Sequence, residues 1–126
     1  MRSLLVLLAI ALVPARDAAA CKSFGHGCDP LSLDESARLA IRVVAGTLQS
    51  IDKHQRCVIA VSERWKGEPV STVEQPECWR WKVGAKVIAL QFRPDVTSKR
   101  APRDIVADSP ANRATLDRLL GPPKAP

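Results

Sequence analysis

Three observations predict a mainly β fold for this 126-residue chain: short β-branched runs at close spacing, turn residues between them, and one helical pattern on either side. Several short strands behind a single helix favour a small all-β barrel or sandwich over an alternating α/β arrangement. Ser32-Leu33-Asp34-Glu35 opens the first helix, over Ser32 to Ala40, because a Ser cap and a Glu three residues later satisfy each other's backbone amides. Ile41 to Leu48 is the first strand, and Gly46 within it marks a bulge or bend. The polar turn Asp52 to Arg56 leads into the second, Cys57 to Trp65, in which Cys57, Ile59, Val61, Glu63 and Trp65 share one face.

Lys66-Gly67-Glu68-Pro69 turns the chain into a third strand, Val70 to Glu74. Lys86 to Phe92, flanked by Gly84 and Pro94, is the fourth, and Ile105 to Ala107 a short fifth. Between them, Pro94 to Arg103 carries Lys99, Arg100 and Arg103 and reads as an exposed basic loop. Ser109 caps a terminal helix with Pro110 at its first position; Gly121 and Pro122 stop it, and Ala111, Ala114, Leu116, Leu119 and Leu120 form a partial apolar face. Pro122 to Pro126 reads as a loose tail.

Ahead of this domain, Arg2, an apolar run from Leu4 to Val13 and Ala18-Ala19-Ala20 form an export signal over residues 1–20. The run is shorter than the roughly 20 residues that span a bilayer, so it is a tag and not an anchor. Small residues at Ala18 and Ala20 put the mature start at Cys21; the alternative is a lipoprotein cut at the same place, which leaves Cys21 lipidated. The remainder suits one compact domain over residues 21–108, followed by the helix and tail over 109–126.

The formal charge of +6 is spread along the chain, which favours solubility and a weak attraction to anionic surfaces. A nucleic-acid partner is not expected, since basic residues interleaved with exposed aromatics are wanting: there is no Tyr, and the aromatics are Phe24, Phe92, Trp65, Trp79 and Trp81. Cys21, Cys28, Cys57 and Cys78 all lie in the exported part and predict two disulfides. Of three pairings, Cys21 with Cys78 and Cys28 with Cys57 is favoured, because it pins the N-terminal segment onto the sheet.

The motif order resembles that of the netrin-like modules and tissue inhibitors of metalloproteinases. A leading cysteine segment and a short helix precede the Gly-bearing strand Val43-Val44-Ala45-Gly46-Thr47. A strand ending in Trp65-Lys66-Gly67 follows, then Cys78 before Val83-Gly84-Ala85-Lys86-Val87-Ile88, so that the likeness covers Cys21 to Phe92. The resemblance implies an OB-like five-stranded barrel. It also implies that the amine and carbonyl of Cys21, with Lys22 and Ser23 beside them, reach the catalytic zinc of a protease, held rigid by a disulfide. Those inhibitors begin with two cysteines one residue apart, whereas here six residues separate Cys21 from Cys28.

Other candidate chemistry is thinner. Cys21, His26 and Cys28 have zinc-ligand types but no fourth ligand nearby, so they are read as disulfide cysteines with a bystander histidine, and no metal or cofactor is expected. His54 sits in a polar turn, where a solvated side chain is the ordinary outcome. Trp79 and Trp81 fall on one side of an extended Cys78 to Val83, with Arg80 and Lys82 on the other; packing in the core or at the barrel rim is the expected use of these indoles, and stacking on an anionic glycan is the alternative. No nucleophile, phosphate cradle or carboxylate pair can be defended, so the chain reads as a binding domain and not an enzyme. Its expected partner is an exported or envelope protein, a zinc protease among them, with a cell-envelope anionic polysaccharide or a lipid-anchored structural role as alternatives. The intact mass of protein purified from its host, before and after reduction, checks the processing: an unmodified chain starting at Cys21 that gains hydrogen on all four cysteines is expected, whereas a diacyl or triacyl mass would place it at a membrane.

Overall fold

The computed structural model describes residues 30–96 and 100–126. Within them the chain runs α1 (Leu33–Leu39), β1 (Arg42–Ile51), β2 (Cys57–Lys66), β3 (Thr72–Gln75), β4 (Lys86–Gln91), β5 (Ile105–Ala107) and α2 (Pro110–Leu120). The strands form one antiparallel sheet in the order β3-β2-β1-β4-β5, so the mainly β expectation holds. The first three are consecutive neighbours and β4 returns beside β1, which is a Greek key. The sheet stops short of a closed barrel: β3 and β5 remain edges, both parallel to β1. At one end side-chain amides bridge them. Gln75 Nε2 donates to the carbonyls of Leu90 (3.1 Å) and Asp104 (2.6 Å), and Gln91 Nε2 to Glu74 O (3.1 Å) and Gln75 Oε1 (3.2 Å).

The caps form as their residues dictate. Ser32 and Glu35 make the reciprocal capping box of α1; Ser109 caps α2 by accepting from Asn112 N–H, with Pro110 behind it. Gly121 ends α2 at φ 85°, a left-handed conformation that glycine adopts without steric cost. Gly46 has a different task. A Cβ there would lie 2.1 Å from Ala60 O on the adjacent strand, so only glycine lets β1 and β2 approach so closely.

The β1–β2 register slips three times, leaving Trp65 and Ser62 as extra residues on β2 and Gln49 on β1. Each slip moves the following residues to the other face of the sheet. The expectation that Cys57 to Trp65 presents one continuous face is therefore corrected: Cys57, Ile59 and Val61 join one cluster with Val44, Leu48 and Val87, while Trp65 packs in a second with Val43, Ile88, Leu90 and Leu116. The sheet is buried on both faces, the second under α1 and α2.

Helix α2 is held by polar as well as apolar contacts. Trp65 Nε1 donates to Asp117 Oδ1 (2.8 Å), and Arg113 donates to Asp108 (2.5 Å) and Glu63 (2.6 Å) with its guanidinium over the Trp65 ring. Those two carboxylates raise the guanidinium's pKa further above its ordinary value. One loop expectation changes, while the basic loop, expected to be exposed, is exposed at Arg100 and Arg103. The tail is tied down, since Lys124 and Arg64 exchange backbone hydrogen bonds (2.9 and 2.7 Å). In the basic loop, Arg100 and Arg103 turn back onto the start of the domain, Arg100 to Glu35 and Pro30 O, and Arg103 to Leu31 O.

The contrast between two glycines tests this account. Gly46→Ala should lower the urea-derived stability by about 3 kcal/mol or more, because the clash is with backbone that cannot yield locally. Gly84→Ala, at φ 92° with nothing within 4 Å of its Cβ, should cost only about 1–2 kcal/mol through left-handed backbone strain.

Candidate functional site

Three residues beyond Gln75 the chain is pinned by a covalent link. Cys57, at the start of β2, is disulfide-bonded to Cys78 in the β3–β4 connection, with a Cα–Cα separation of 5.9 Å. This corrects the expected pairing: neither Cys21 with Cys78 nor Cys28 with Cys57 forms, because hairpin pairing of β2 with β3 already carries Cys57 to Gln75 and hence close to Cys78. The link is reinforced by Cys78 N–H, which donates to Gln55 O (2.7 Å). Gln55 and Glu77 both hold left-handed φ values, 65° and 56°, an uncommon state for non-glycine residues that this anchorage maintains. In the β1–β2 turn, Asp52 Oδ1 accepts from the amides of Arg56 (3.0 Å) and His54 (2.8 Å), and the Arg56 amide above all holds its carboxyl below the usual value.

Beyond Cys78 the chain makes two successive tight turns, closed by Trp81 N–H to Cys78 O and Ala85 N–H to Lys82 O, both 3.0 Å. The extended Cys78 to Val83 of the sequence reading is thus replaced, and with it the shared side of Trp79 and Trp81. Trp81 packs against the cluster around the disulfide. Trp79 points outward, 62% exposed, with the Arg80 guanidinium over its ring at 4.6 Å. His54 is exposed, as its position in a polar turn suggested. Cys21, Lys22, Ser23, His26 and Cys28 lie outside the described residues.

A cleft of 1270 Å³ follows the open seam of the sheet. One wall carries Glu77, Trp79 and Trp81; the other is β5 with Asp104 ahead of it, and Asn112 and Thr115 of α2 close one side. Asp104 is half-buried here. Loss of solvent is the main reason its carboxyl is raised above the ordinary value, and the charge of Glu77 across the cleft adds to it. Among the described residues, no three His, Cys, Asp or Glu side chains converge as metal ligands, and no helix is long and apolar enough to cross a membrane.

Sequence reading missed Glu77, Asp104 and the glutamine bridge. Gln75 alone left a trace, as a polar residue at an inward position two beyond Val73. Fold and site together define a mainly β Greek-key domain whose unclosed seam is a cleft with an exposed tryptophan on one wall. Comparison with protein-family models, curated proteins and solved structures found no match.

Asp104 gives this region a pH signature. A carboxyl whose pKa is raised by folding binds its proton more readily in the folded state, so its contribution to stability is present below the unfolded value near 4 and is lost as pH rises through the folded one. Asp104→Asn should therefore raise the melting temperature at pH 7, and the gain should vanish below about pH 4; parallel melts of both proteins across that range check it.

Proposed function

We propose that this chain is an exported, non-enzymatic protein-binding domain of the netrin-like kind, acting on an exported or envelope protein, with a zinc protease as the first partner to test. The observation that carries this reading is Trp79, a largely exposed indole on a loop fixed by a disulfide and a backbone hydrogen bond. A large apolar contact presented on a rigid support loses little freedom on binding. The half-open Greek-key barrel agrees with the resemblance in motif order, and a buried disulfide belongs with an oxidising compartment, which supports export. On this reading the amine and carbonyl of Cys21, flanked by Lys22 and Ser23, supply the metal-capping group. Because Cys78 is taken by Cys57, the tether that the resemblance calls for would run from Cys21 to Cys28.

A second reading, recognition of an anionic polysaccharide in the envelope, is favoured by the Arg80 guanidinium stacked on Trp79 with Lys82 two residues on. The two separate in one set of assays. Against a panel of zinc endopeptidases, the mature chain should inhibit at least one member; acetylating its N-terminus should abolish inhibition, and Trp79→Ala should weaken it about tenfold or more. Inhibition that survives acetylation removes the terminus-to-zinc mechanism. No inhibition, together with binding to heparin that falls steeply with salt, replaces the protease reading with the polysaccharide one.

A further inference from the structure

The unclosed seam carries an inference independent of the N-terminus. β5 is an edge strand, and its register with β4 fixes which of its backbone groups are spent. Leu90 N–H donates to Asp104 O, Asp108 N–H donates to Lys86 O, and Val106 stands opposite Ile88 between them. In an antiparallel ladder the hydrogen-bonded pairs alternate, so Asp104, Val106 and Asp108 face β4, while Ile105 and Ala107 face the cleft. Ala107 O is already used, accepting from Ser109 N–H (3.0 Å) and Asn112 Nδ2 (2.9 Å). The Ile105 amide faces the Asp104 carboxylate. Ile105 C=O and Ala107 N–H are left, one acceptor and one donor on either side of Val106, without a hydrogen-bond partner among the described residues. That spacing is what one residue of an adjoining strand satisfies, by donating its N–H to the first and accepting from the second with its C=O. Among the described residues β3, which a closed barrel would place here, reaches this edge only through Gln75, whose amide donates to Asp104 O just ahead of β5.

The charges in the cleft select the occupant. Glu77 and Asp104 both line the cleft, close enough for the charge of one to act on the other, and neither is in an ion pair among the described residues. The other charged groups at the cleft are engaged: Asp34 with Arg118 (3.2 Å), Arg80 over the Trp79 ring, and Arg103 with Leu31 O (2.9 Å). A cation between Glu77 and Asp104 would relieve their repulsion.

We propose that β5 and the cleft form a docking site for an extended segment of a partner protein, which adds as a strand beside Val106 and sets a Lys or Arg side chain between Glu77 and Asp104. The mode is β-augmentation, with main-chain bonds supplying affinity and the carboxylate pair supplying selectivity. It rests on the binding-domain reading only for the existence of a partner protein, and failure of the acetylation assay leaves it standing.

The test uses the full mature chain and two capped heptapeptides of alternating Val and Thr, one with a central lysine and one with a central glutamate, followed by amide NMR. In the free protein, Ala107 N–H should exchange rapidly. The lysine peptide should shift and protect that amide and bind about tenfold or more tightly than the glutamate peptide. Glu77→Gln with Asp104→Asn should erase the preference, and Ala107→Pro should weaken binding of the lysine peptide. Should the proline variant not fold, the carboxylate double variant still decides. Equal affinity for the two peptides, or an unchanged preference in the double variant, overturns the proposal. So does an Ala107 amide already protected in the free protein, since the seam would then be filled by the chain's own Cys21 to Asp29 segment or by a second copy.

Discussion

β1 is hydrogen-bonded along both edges and buried on both faces over its first half, and every other element takes its place relative to it. Val43 and Ala45 point to the helix side, Val44 and Leu48 to the side that holds the disulfide. Both requirements hold at once because Gly46 lets β2 come into contact with the strand backbone, and because bulges at Ser62 and Trp65 re-aim β2 as it passes. Without those irregularities β2 would offer one face throughout. Trp65 would then have no route to Asp117, and α2 would lose its polar anchor.

The seam between β3 and β5 is shaped by two ties at neighbouring positions. At one, Gln75 and Gln91 reach across from β3 to β4 and the start of β5 and stand in for strand pairing. At the other, three residues on, the Cys57–Cys78 bridge ties the β3–β4 connection to the β1–β2 turn. The cleft is what remains between the tied loop and the uncovered strand. A barrel zipped along its whole length would have no such opening, and Trp79 would not be displayed beside one.

What could be read from the sequence was whatever local chemistry decides. Ser32 with Glu35, Ser109 with Pro110, and the β-branched runs with their turn residues gave both helices and all five strands to within a few residues, because each signal acts over one turn or one pleat. Gly46 was correctly suspected, although its partner, Ala60 O, could not be named before the strands were paired. The failures are of another kind. Choosing among three disulfide pairings depends on which loops the hairpins bring together. The Trp79-Arg80 turn contains neither Gly nor Pro and gives no warning, so alternation put the two indoles on one side. Gln75 with Gln91 and Glu77 with Asp104 are juxtaposed by topology, across distances along the chain at which no periodicity speaks.

The glutamine bridge has one further consequence. Its donors and acceptors are amides, which neither titrate nor draw a counter-ion atmosphere, whereas α2 is fastened through Arg113, Glu63, Asp108 and Asp117. Concentrated salt in the surroundings therefore bears more on the helix attachment than on the glutamine bridge. One fastening of the fold answers to ionic strength and the other does not.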